Sequence, residues 1–379
     1  MSFKRFFPFV VLLFALLGAF SPAMAQHEPA HQDNEHHEAT AEHGEKEGIN
    51  MSELIFGHVS DAHSWHFFDF GGHPISLPLP VIIYHPEKGL EMFSSAKFEH
   101  GHASHNGYSI HFTGMKEVIT SADGAKILDF SITKNVLSML ISVVLLLWIM
   151  LSVAKKYKKN GVMKAPSGMQ NALEPVIIFM RDEVAKPNLG NKYMRYMPLL
   201  LTVFFFIWIN NLLGLLPGGA NFTGNIAVTA CLALVAFLVI IFSGNKHFWG
   251  HLFNPPGVPF LVKILLVIIE FLSLFIKPVA LMIRLFANML AGHIVILSVI
   301  SMIFIFGAMS QAAGAGFTVV SLAFSVFMFM LELLVAAIQA FIFTNLTAVF
   351  VGQAIEDPHH DHDHGTEQDY HVSENEIIA

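Results

Sequence analysis

The sequence predicts an all-α integral membrane protein with five transmembrane helices, of which the last two are long and tilted. A cytoplasmic amphipathic helix and an extracytoplasmic N-terminal segment complete the predicted fold. Of the 379 residues, 54% are hydrophobic and only 13% are charged, and the mean hydropathy of +0.56 is above the range of soluble domains. Five apolar segments approach or exceed the length of about 20 residues that crosses a bilayer. They are 132–153, 197–216, 226–242, 258–306 and 317–351.

Charge and cysteine content exclude several classes of function. The formal net charge of −8 comes mainly from the acidic head and tail of the chain, and no basic surface for nucleic acid is indicated. Cys231 is the only cysteine, so neither an intrachain disulfide nor a two-cysteine metal site can form. We expect no metal site and no cofactor.

Residues 1–25 have the pattern of a cleavable signal peptide. Lys4 and Arg5 precede an apolar run, and Ala-Met-Ala ends at Ala25, as small residues do before a cleavage site. The alternative is an uncleaved membrane helix, but the apolar run of about 15 residues is short for a spanning segment. Cleavage would place the N-terminus of the mature chain outside the cytoplasm, and we expect a multi-pass protein of the bacterial plasma (inner) membrane.

Two further segments precede the membrane helices. Residues 26–50 are a predicted disordered His/Glu-rich tether, since they contain almost no large apolar side chains. Residues 51–131 are a predicted small extracytoplasmic module, in which the β-prone runs 79–84 and 108–112 alternate with Gly, Pro and His. The many histidines of the module show no spacing that specifies a site.

The distribution of basic residues predicts the topology of the membrane domain, 132–352. Four lysines follow the first span within 155–159, and such clusters mark cytoplasmic ends. The segment 167–187 has apolar residues at helical spacing and is too polar to span, so it is the predicted amphipathic helix. Five spans then place the C-terminus in the cytoplasm, where 353–379 would form a disordered His/Asp-rich tail.

Four charged residues recur within the fourth span. Lys263, Glu270, Lys277 and Arg284 are spaced by seven residues, and seven steps of about 100° return almost to the same helix face. A charge at membrane depth costs at least ~2.5 kcal/mol and therefore indicates function. Internal pairing and snorkelling could account for Lys263 and Glu270. Arg284 has no acidic residue within a helical turn, which makes it the strongest functional candidate.

The polar residues near Arg284 fall on two sides of the predicted helices. Asn288 lies four residues after Arg284 and shares its face, whereas His293 points to the opposite side. In the last span, Glu332 and Gln339 are seven residues apart and share a face. A carboxyl group among apolar neighbours suits a residue that gains and loses protons. Glu332 could instead be a structural partner of Lys277 or His293.

At these residues the sequence resembles a known family, the a subunit of F-type ATP synthases. The resemblance is carried by the stretch from Glu270 to His293, with Arg284, Asn288 and Gly292 inside it, and by the stretch from Glu332 to Gln339. The segment 198–217, with its Asn-Asn pair and Leu-Leu-Gly-Leu-Leu-Pro ending, resembles the first hairpin of the family. The resemblance to the family extends over about residues 130–352.

The resemblance implies a role for each residue. Arg284 would face the carboxylates of a rotating c ring, and Asn288 and Gln339 would be polar neighbours on the same path. His293 and Glu332 would line an aqueous half-channel, and which of the two relays the ion is left open. Three residues would support this site: Glu270, Lys277 and Gly292.

The resemblance also implies partners and a mechanism. The c-subunit ring, the b-subunit peripheral stalk and the remaining ATP synthase subunits would surround this non-catalytic chain in the lipid bilayer. Protons, or alternatively sodium ions, would be carried. The alternative reading is a secondary ion transporter or channel with an intramembrane charge relay, but the sequence lacks the repeated halves common in transporters. An intramembrane metalloprotease would need metal ligands within the spans, whereas the histidines lie nearly all outside them.

Overall fold

The computed structural model describes residues 60–356, except 71, 72, 102, 114, 115, 162–164, 217, 256, 258 and 310. The predicted signal peptide, the tether and most of the predicted C-terminal tail lie outside the described residues. Within them, a β-rich module precedes a bundle of long helices.

The module consists of short antiparallel strands. They are β1 Ser64–Phe70, β2 His73–Pro78, β3 Pro80–His85, β4 Gly89–Ser94, β5 Tyr108–Thr113, β6 Lys116–Ser121 and β7 Leu128–Asp129. Strand β1 pairs with β2, β5 pairs with β6, and the third sheet has the order β4-β3-β7. Alternation along β3 buries Val81 and Ile83 against Phe98, Tyr108 and Ile119. Strands β3 and β5 confirm the two predicted β-prone runs.

The rest of the described chain is helical. The helices are α1 Lys134–Asn160, α2 Met169–Phe179, α3 Lys186–Leu189, α4 Tyr193–Leu215, α5 Ile226–Ser243, α6 Lys246–Phe253, α7 Phe260–Met309 and α8 Gln311–Ile355. Five of the helical segments are long and apolar enough to cross a membrane. The five predicted spans are therefore confirmed.

The segment predicted as an amphipathic surface helix is helical but packs into the bundle. Helix α2 continues through a π-helical turn, Met180–Ala185, into α3. Met180, Val184 and Ala185 are fully buried in the main core together with side chains of α4 and α8. Part of the apolar stripe that the sequence shows in this region therefore faces protein, while Ile178 and Phe179 remain exposed.

The connection between the last two spans differs from the prediction. The Gly- and Ala-rich link expected over 307–316 is largely helical, because α7 continues to Met309 and α8 begins at Gln311. Phe306 and Phe317 stack across this turn with ring centroids 3.6 Å apart. Helices keep backbone groups hydrogen-bonded where water is scarce, which favours a tight turn over a long loop. At about 1.5 Å per residue, both helices exceed the membrane thickness and must tilt.

Packing around the helices is uneven. Most side chains of α4 are buried, and α4 packs against α1 and α8, while α5 packs against α7 and α8; all contribute to one continuous apolar core. Helices α7 and α8 pack on each other, yet many of their large apolar side chains are exposed. In this isolated chain the two long helices thus present a broad apolar surface.

The β module is attached to one end of the bundle by hydrogen bonds. The backbone N–H of Lys134 donates to the carbonyl of Ala62 at 2.9 Å, and the N–H of Asn135 donates to Oδ1 of Asp61 at 3.1 Å. Trp65 Nε1 donates to the carbonyl of Gly218 in the α4–α5 turn at 2.6 Å. The module therefore contacts both the start of α1 and the α4–α5 turn.

A buried histidine joins two strands of the module. His63 is 2% exposed, with Nδ1 3.3 Å from Oε2 of Glu117 on β6 and Nε2 3.0 Å from Oδ2 of Asp129 on β7. Burial alone would lower the pKa of His63, but hydrogen bonds to Asp129 and Glu117 outweigh it and raise the pKa to about 9. Since β7 directly precedes α1, this ion pair stabilises the attachment of the module.

We predict that the module loses stability at alkaline pH. The pKa of His63 in the folded protein, about 9, is above its ordinary value of 6.5. The stabilisation is therefore complete below pH 6.5 and is lost as the pH rises through about 9. Hydrogen exchange of β6 and β7, corrected for intrinsic rates, should show protection falling across this window. His63→Leu should lower protection throughout and flatten its pH dependence, and unchanged protection up to pH 10 would contradict the prediction.

Candidate functional site

Arg284 and Asn288 lie on the exposed face of α7. Both side chains are exposed, and exposed apolar residues such as Ile276 and Ile283 surround them. Among the described residues, no side chain forms a hydrogen bond or an ion pair with the Arg284 guanidinium. A permanent cation is costly to place against lipid. This face therefore requires a partner that carries a complementary charge.

Glu332, in contrast to Arg284 and Asn288, is buried inside the protein. Its side chain is buried at 5% exposure, and both carboxylate oxygens lack a hydrogen-bond partner within the described part of the chain. The carboxylate lies against Gly292 of α7, so closely that a Cβ at position 292 would overlap it. Glycine at this position thus allows α8 to bring a carboxyl group against the backbone of α7. Gln339 is buried on the same helix, at 6% exposure.

His293 follows Gly292 and faces α4. Its Nε2 atom is buried and has no hydrogen-bond partner among the residues that the structure describes. Gly214 of α4 lies close to this atom, because a Cβ built at position 214 would lie 3.6 Å from His293 Nε2. Two glycines therefore make room for Glu332 and His293 between α4, α7 and α8. The structure places these two residues in one region and away from the exposed face of Arg284.

Buried polar residues line the neighbouring turn, and sequence analysis singles out only Asn211 among them, as part of the Asn-Asn pair. Thr223 Oγ1 donates to Oδ1 of Asn211 at 2.8 Å, and Asn211 Nδ2 donates to the carbonyl of Ala336 on α8 at 3.1 Å. Asn221 Nδ2 donates to the carbonyl of Met289 on α7 at 3.5 Å. The only sequence signal is that these polar residues interrupt apolar segments. Together they fix the α4–α5 turn to both long helices, close to His293.

The charged stripe of α7 contacts neighbouring helices. Oε2 of Glu270 lies 3.6 Å from Nδ1 of His251 on α6. Lys277 donates to Oε1 of Gln353 at 3.1 Å, and its Nζ lies 4.8 Å from the ring centroid of Phe350. Other helices therefore supply contacts to the stripe, although the charge of Glu270 also acts on Lys277 along it. The alternative that Lys277 or His293 hydrogen-bonds Glu332 is wrong within the described residues.

Comparisons with known proteins identify the family. Residues 136–352, more than half of the chain, match the family model of the ATP synthase A chain. Residues 54–136 match the model of a domain of unknown function.

Three relatives are each named ATP synthase subunit a. That of Chloroherpeton thalassium is 47% identical over 243 residues, covering 62% of this chain and 71% of the relative. That of Chlorobium phaeobacteroides strain DSM 266 is 36% identical over 349 residues, covering 90% of this chain and 86% of the relative. That of Myxococcus xanthus is 42% identical over 243 residues, covering 63% and 77%.

The fold and the intramembrane charges define a multi-pass membrane protein of the ion-translocating class. The chain belongs to the family of F-type ATP synthase a subunits. It is a proton-translocating stator subunit of the membrane-embedded Fo sector and part of the ATP synthase complex.

We predict that Gly292→Ala impairs proton transport. The added methyl group overlaps the Glu332 carboxylate, so α7 and α8 must separate or the carboxyl group must turn away. We expect ATP-driven proton pumping to fall by roughly ten-fold, since overpacked helix contacts relax only partly. Gly250→Ala is the matched control, because a Cβ at position 250 meets open space. Pumping by an assembled Gly292→Ala complex at the rate of the control would contradict the prediction.

Proposed function

We propose that this subunit carries protons through two half-channels that are kept apart by Arg284. The observation that supports the proposal most is the separation of its charges. Arg284 lies on the exposed face of α7, while the carboxyl group of Glu332 and the imidazole Nε2 of His293 are buried and have no hydrogen-bond partner among the described residues. A fixed cation attracts a carboxylate that passes along the surface, and a buried carboxyl group can exchange a proton.

The c-subunit ring is the partner we propose for the exposed face of α7 and α8. Each ring subunit would bring a carboxyl group, which must be neutral while it faces lipid because a charge there is costly. Next to Arg284 the ionised carboxylate is favoured, so the proton is released into one half-channel. The same fixed charge hinders a proton from passing directly to the other half-channel. Each charge that crosses 100 mV supplies ~2.3 kcal/mol.

The outer half-channel is proposed to pass between α4, α7 and α8. Glu332 lies against Gly292 and the adjacent His293 lies near Gly214, and we propose that the two residues receive protons from outside. Gln339, buried further along α8, and Asn288, exposed beside Arg284, would continue the path to the ring. Glu332 has two unpaired oxygens, and we assign it the main relay role.

The orientation that we propose is N-terminus outside and C-terminus inside a bacterial inner membrane. Lys158 and Lys159 occupy the last turn of α1, and basic residues concentrate on cytoplasmic ends. The β module, at the other end of α1, would then be extracytoplasmic. The b-subunit peripheral stalk and the remaining ATP synthase subunits would contact the surfaces that the ring leaves free.

The role of Arg284 predicts different defects in two variants. Arg284→Ala should abolish coupled ATP synthesis and allow passive proton entry, because the cation between the half-channels is removed. Arg284→Lys should also fail in synthesis, since a desolvated ammonium can lose its proton and lacks the guanidinium fork, but it should leak less. Both are measured in vesicles containing the assembled complex, as ATP synthesis and as proton entry under an imposed potential. Substantial synthesis by Arg284→Ala would refute the assigned role.

The orientation predicts which introduced cysteines react from outside intact cells. Ser104, Leu216 and Lys158 are exposed positions in the module, in the α4–α5 turn and at the end of α1. An impermeant thiol reagent should label Ser104→Cys and Leu216→Cys, while Lys158→Cys should react only in inverted vesicles. The native thiol of Cys231 is buried and gives little background. Labelling of Lys158→Cys from outside would overturn the five-span topology.

A further inference from the structure

A second group of ionisable residues, each buried or partly buried, lies where the β module meets α1. His63 lies between the carboxylates of Glu117 and Asp129, as described above. Asp61 joins them through its carboxylate at the N-terminus of α1 and through its carbonyl, which accepts a hydrogen bond from the N–H of Glu117 at 3.2 Å. The fifth member, Lys134, is 6% exposed, and its charge acts on Asp61 and Glu117.

The composition of this group favours the attraction of cations. Three carboxyl groups, those of Asp61, Glu117 and Asp129, face two bases, His63 and Lys134, so full ionisation leaves one excess negative charge. Burial raises the pKa of the Asp61 carboxyl, although the hydrogen bond from Asn135 and the charge of Lys134 oppose the shift. Asp61 is therefore a better proton acceptor than an exposed aspartate.

A cavity in the module borders His63 and Glu117, two members of this group. It has a volume of about 330 Å³, and its other lining residues are three serines, Ser64, Ser76 and Ser95, and mostly apolar residues such as Phe98 and Ile110. This volume is large enough to hold several water molecules. Hydroxyl, carboxylate and imidazole groups offer the hydrogen-bond partners that ordered water needs. The cavity is therefore suited to holding water beside Glu117.

The module is located directly over the part of the bundle that contains His293. Trp65 of β1 donates a hydrogen bond to the carbonyl of Gly218 in the α4–α5 turn. In the same turn, Asn221 donates a hydrogen bond to the carbonyl of Met289 on α7. Met289 lies less than two helical turns before His293 on that helix. The charge of Lys134 acts on His293 as well as on Asp61. Lys134, a member of the ionisable group of the module, therefore also acts on His293 of the bundle.

We propose that the β module is a proton-collecting vestibule, which takes protons from the outer solution at the cavity beside Glu117 and delivers them past Asp61 to His293. The proposal rests on the proposed half-channel of Glu332 and His293. A hydronium ion in the cavity protonates a carboxylate of the group. That carboxyl group then passes the proton inward and returns to its ionised form. His63 and Lys134 hold the carboxylates in place and limit their excess negative charge.

The test compares neutral isosteres of the two proposed proton acceptors. Asp61→Asn retains the oxygen that accepts from Asn135, and Glu117→Gln retains an acceptor for the N–H of His63. Asp123→Asn is the matched control, since this carboxylate is on the exposed surface of the same module. Complete ATP synthase carrying each variant is placed in vesicles with the module inside. ATP synthesis is driven by a constant potential at several luminal pH values.

The vestibule predicts a defect that depends on the supply of protons. At a luminal pH of about 8, Asp61→Asn and Glu117→Gln should synthesise ATP roughly ten-fold more slowly than the control, within the range by which charged clefts raise local ion supply. At about pH 6 the difference should vanish, because protons near the mouth are then abundant. Imidazole, a mobile proton carrier with a pKa of about 6.5, should restore the rate at the higher pH.

The outcomes separate this proposal from the half-channel on which it rests. Glu332→Gln should block synthesis at every luminal pH, and normal synthesis by that variant refutes the half-channel. If Glu332→Gln blocks but both module variants match Asp123→Asn at every pH, the vestibule alone is refuted. An equal loss at every pH that imidazole does not relieve would show a purely structural clamp, and this result also refutes the vestibule.

A second measurement avoids substitution of charged residues. Ser76 lines the cavity, whereas Ser94 at the end of β4 is exposed and is absent from its lining. A bulky impermeant thiol reagent attached to Ser76→Cys should fill the cavity. The rate of ATP synthesis at a luminal pH of about 8 should then fall. Labelled Ser94→Cys should synthesise ATP at its unlabelled rate. Full labelling of Ser76→Cys without any change in rate would contradict entry through the cavity.

Discussion

The approach of α8 to α7 at Gly292 is the constraint on which the rest of the membrane domain depends. A glycine there lets a buried carboxylate lie against the neighbouring helix, and Gly214 on α4 gives the same room to His293. Small residues allow helices in a bilayer to pack closely. Here they also leave two ionisable groups without hydrogen-bond partners among the described residues. A buried polar group without a partner is costly, and such a cost is commonly kept where it serves function.

The two long helices also show what the isolated chain lacks. Their exposed faces are apolar and contain Arg284, whereas α4 is surrounded by protein on nearly all sides. Lipid could cover the apolar side chains but not the guanidinium, because the membrane interior does not solvate a charge. The surface of this subunit is thus consistent with a position inside a larger complex. In the proposed mechanism, a succession of ring carboxylates supplies the missing charge.

The β module gives this family member an outer surface of unusual chemistry. Its small apolar core of five residues lies beside a group of five ionisable side chains, of which His63 and Lys134 are buried and the other three are partly buried. An exposed domain that served only to cover the bundle would have little reason to withdraw these charges from water, since desolvation is unfavourable. The group lies between a cavity that borders His63 and Glu117 and the start of α1, as the proposed vestibule requires. The hydrogen bond from Trp65 to Gly218 attaches the module to the α4–α5 turn.

The sequence by itself determined the class of protein, the five spans and the charged residues that matter, because hydropathy and charge at membrane depth are local properties with large free energies. It also indicated that Arg284 and His293 serve different sides of one helix. Only the tertiary structure decided that Glu270 pairs with His251, that the predicted link is helical, and that Gly214 and Gly292 border His293 and Glu332. These features depend on contacts between segments distant in sequence, where helical periodicity carries no information about the neighbouring element.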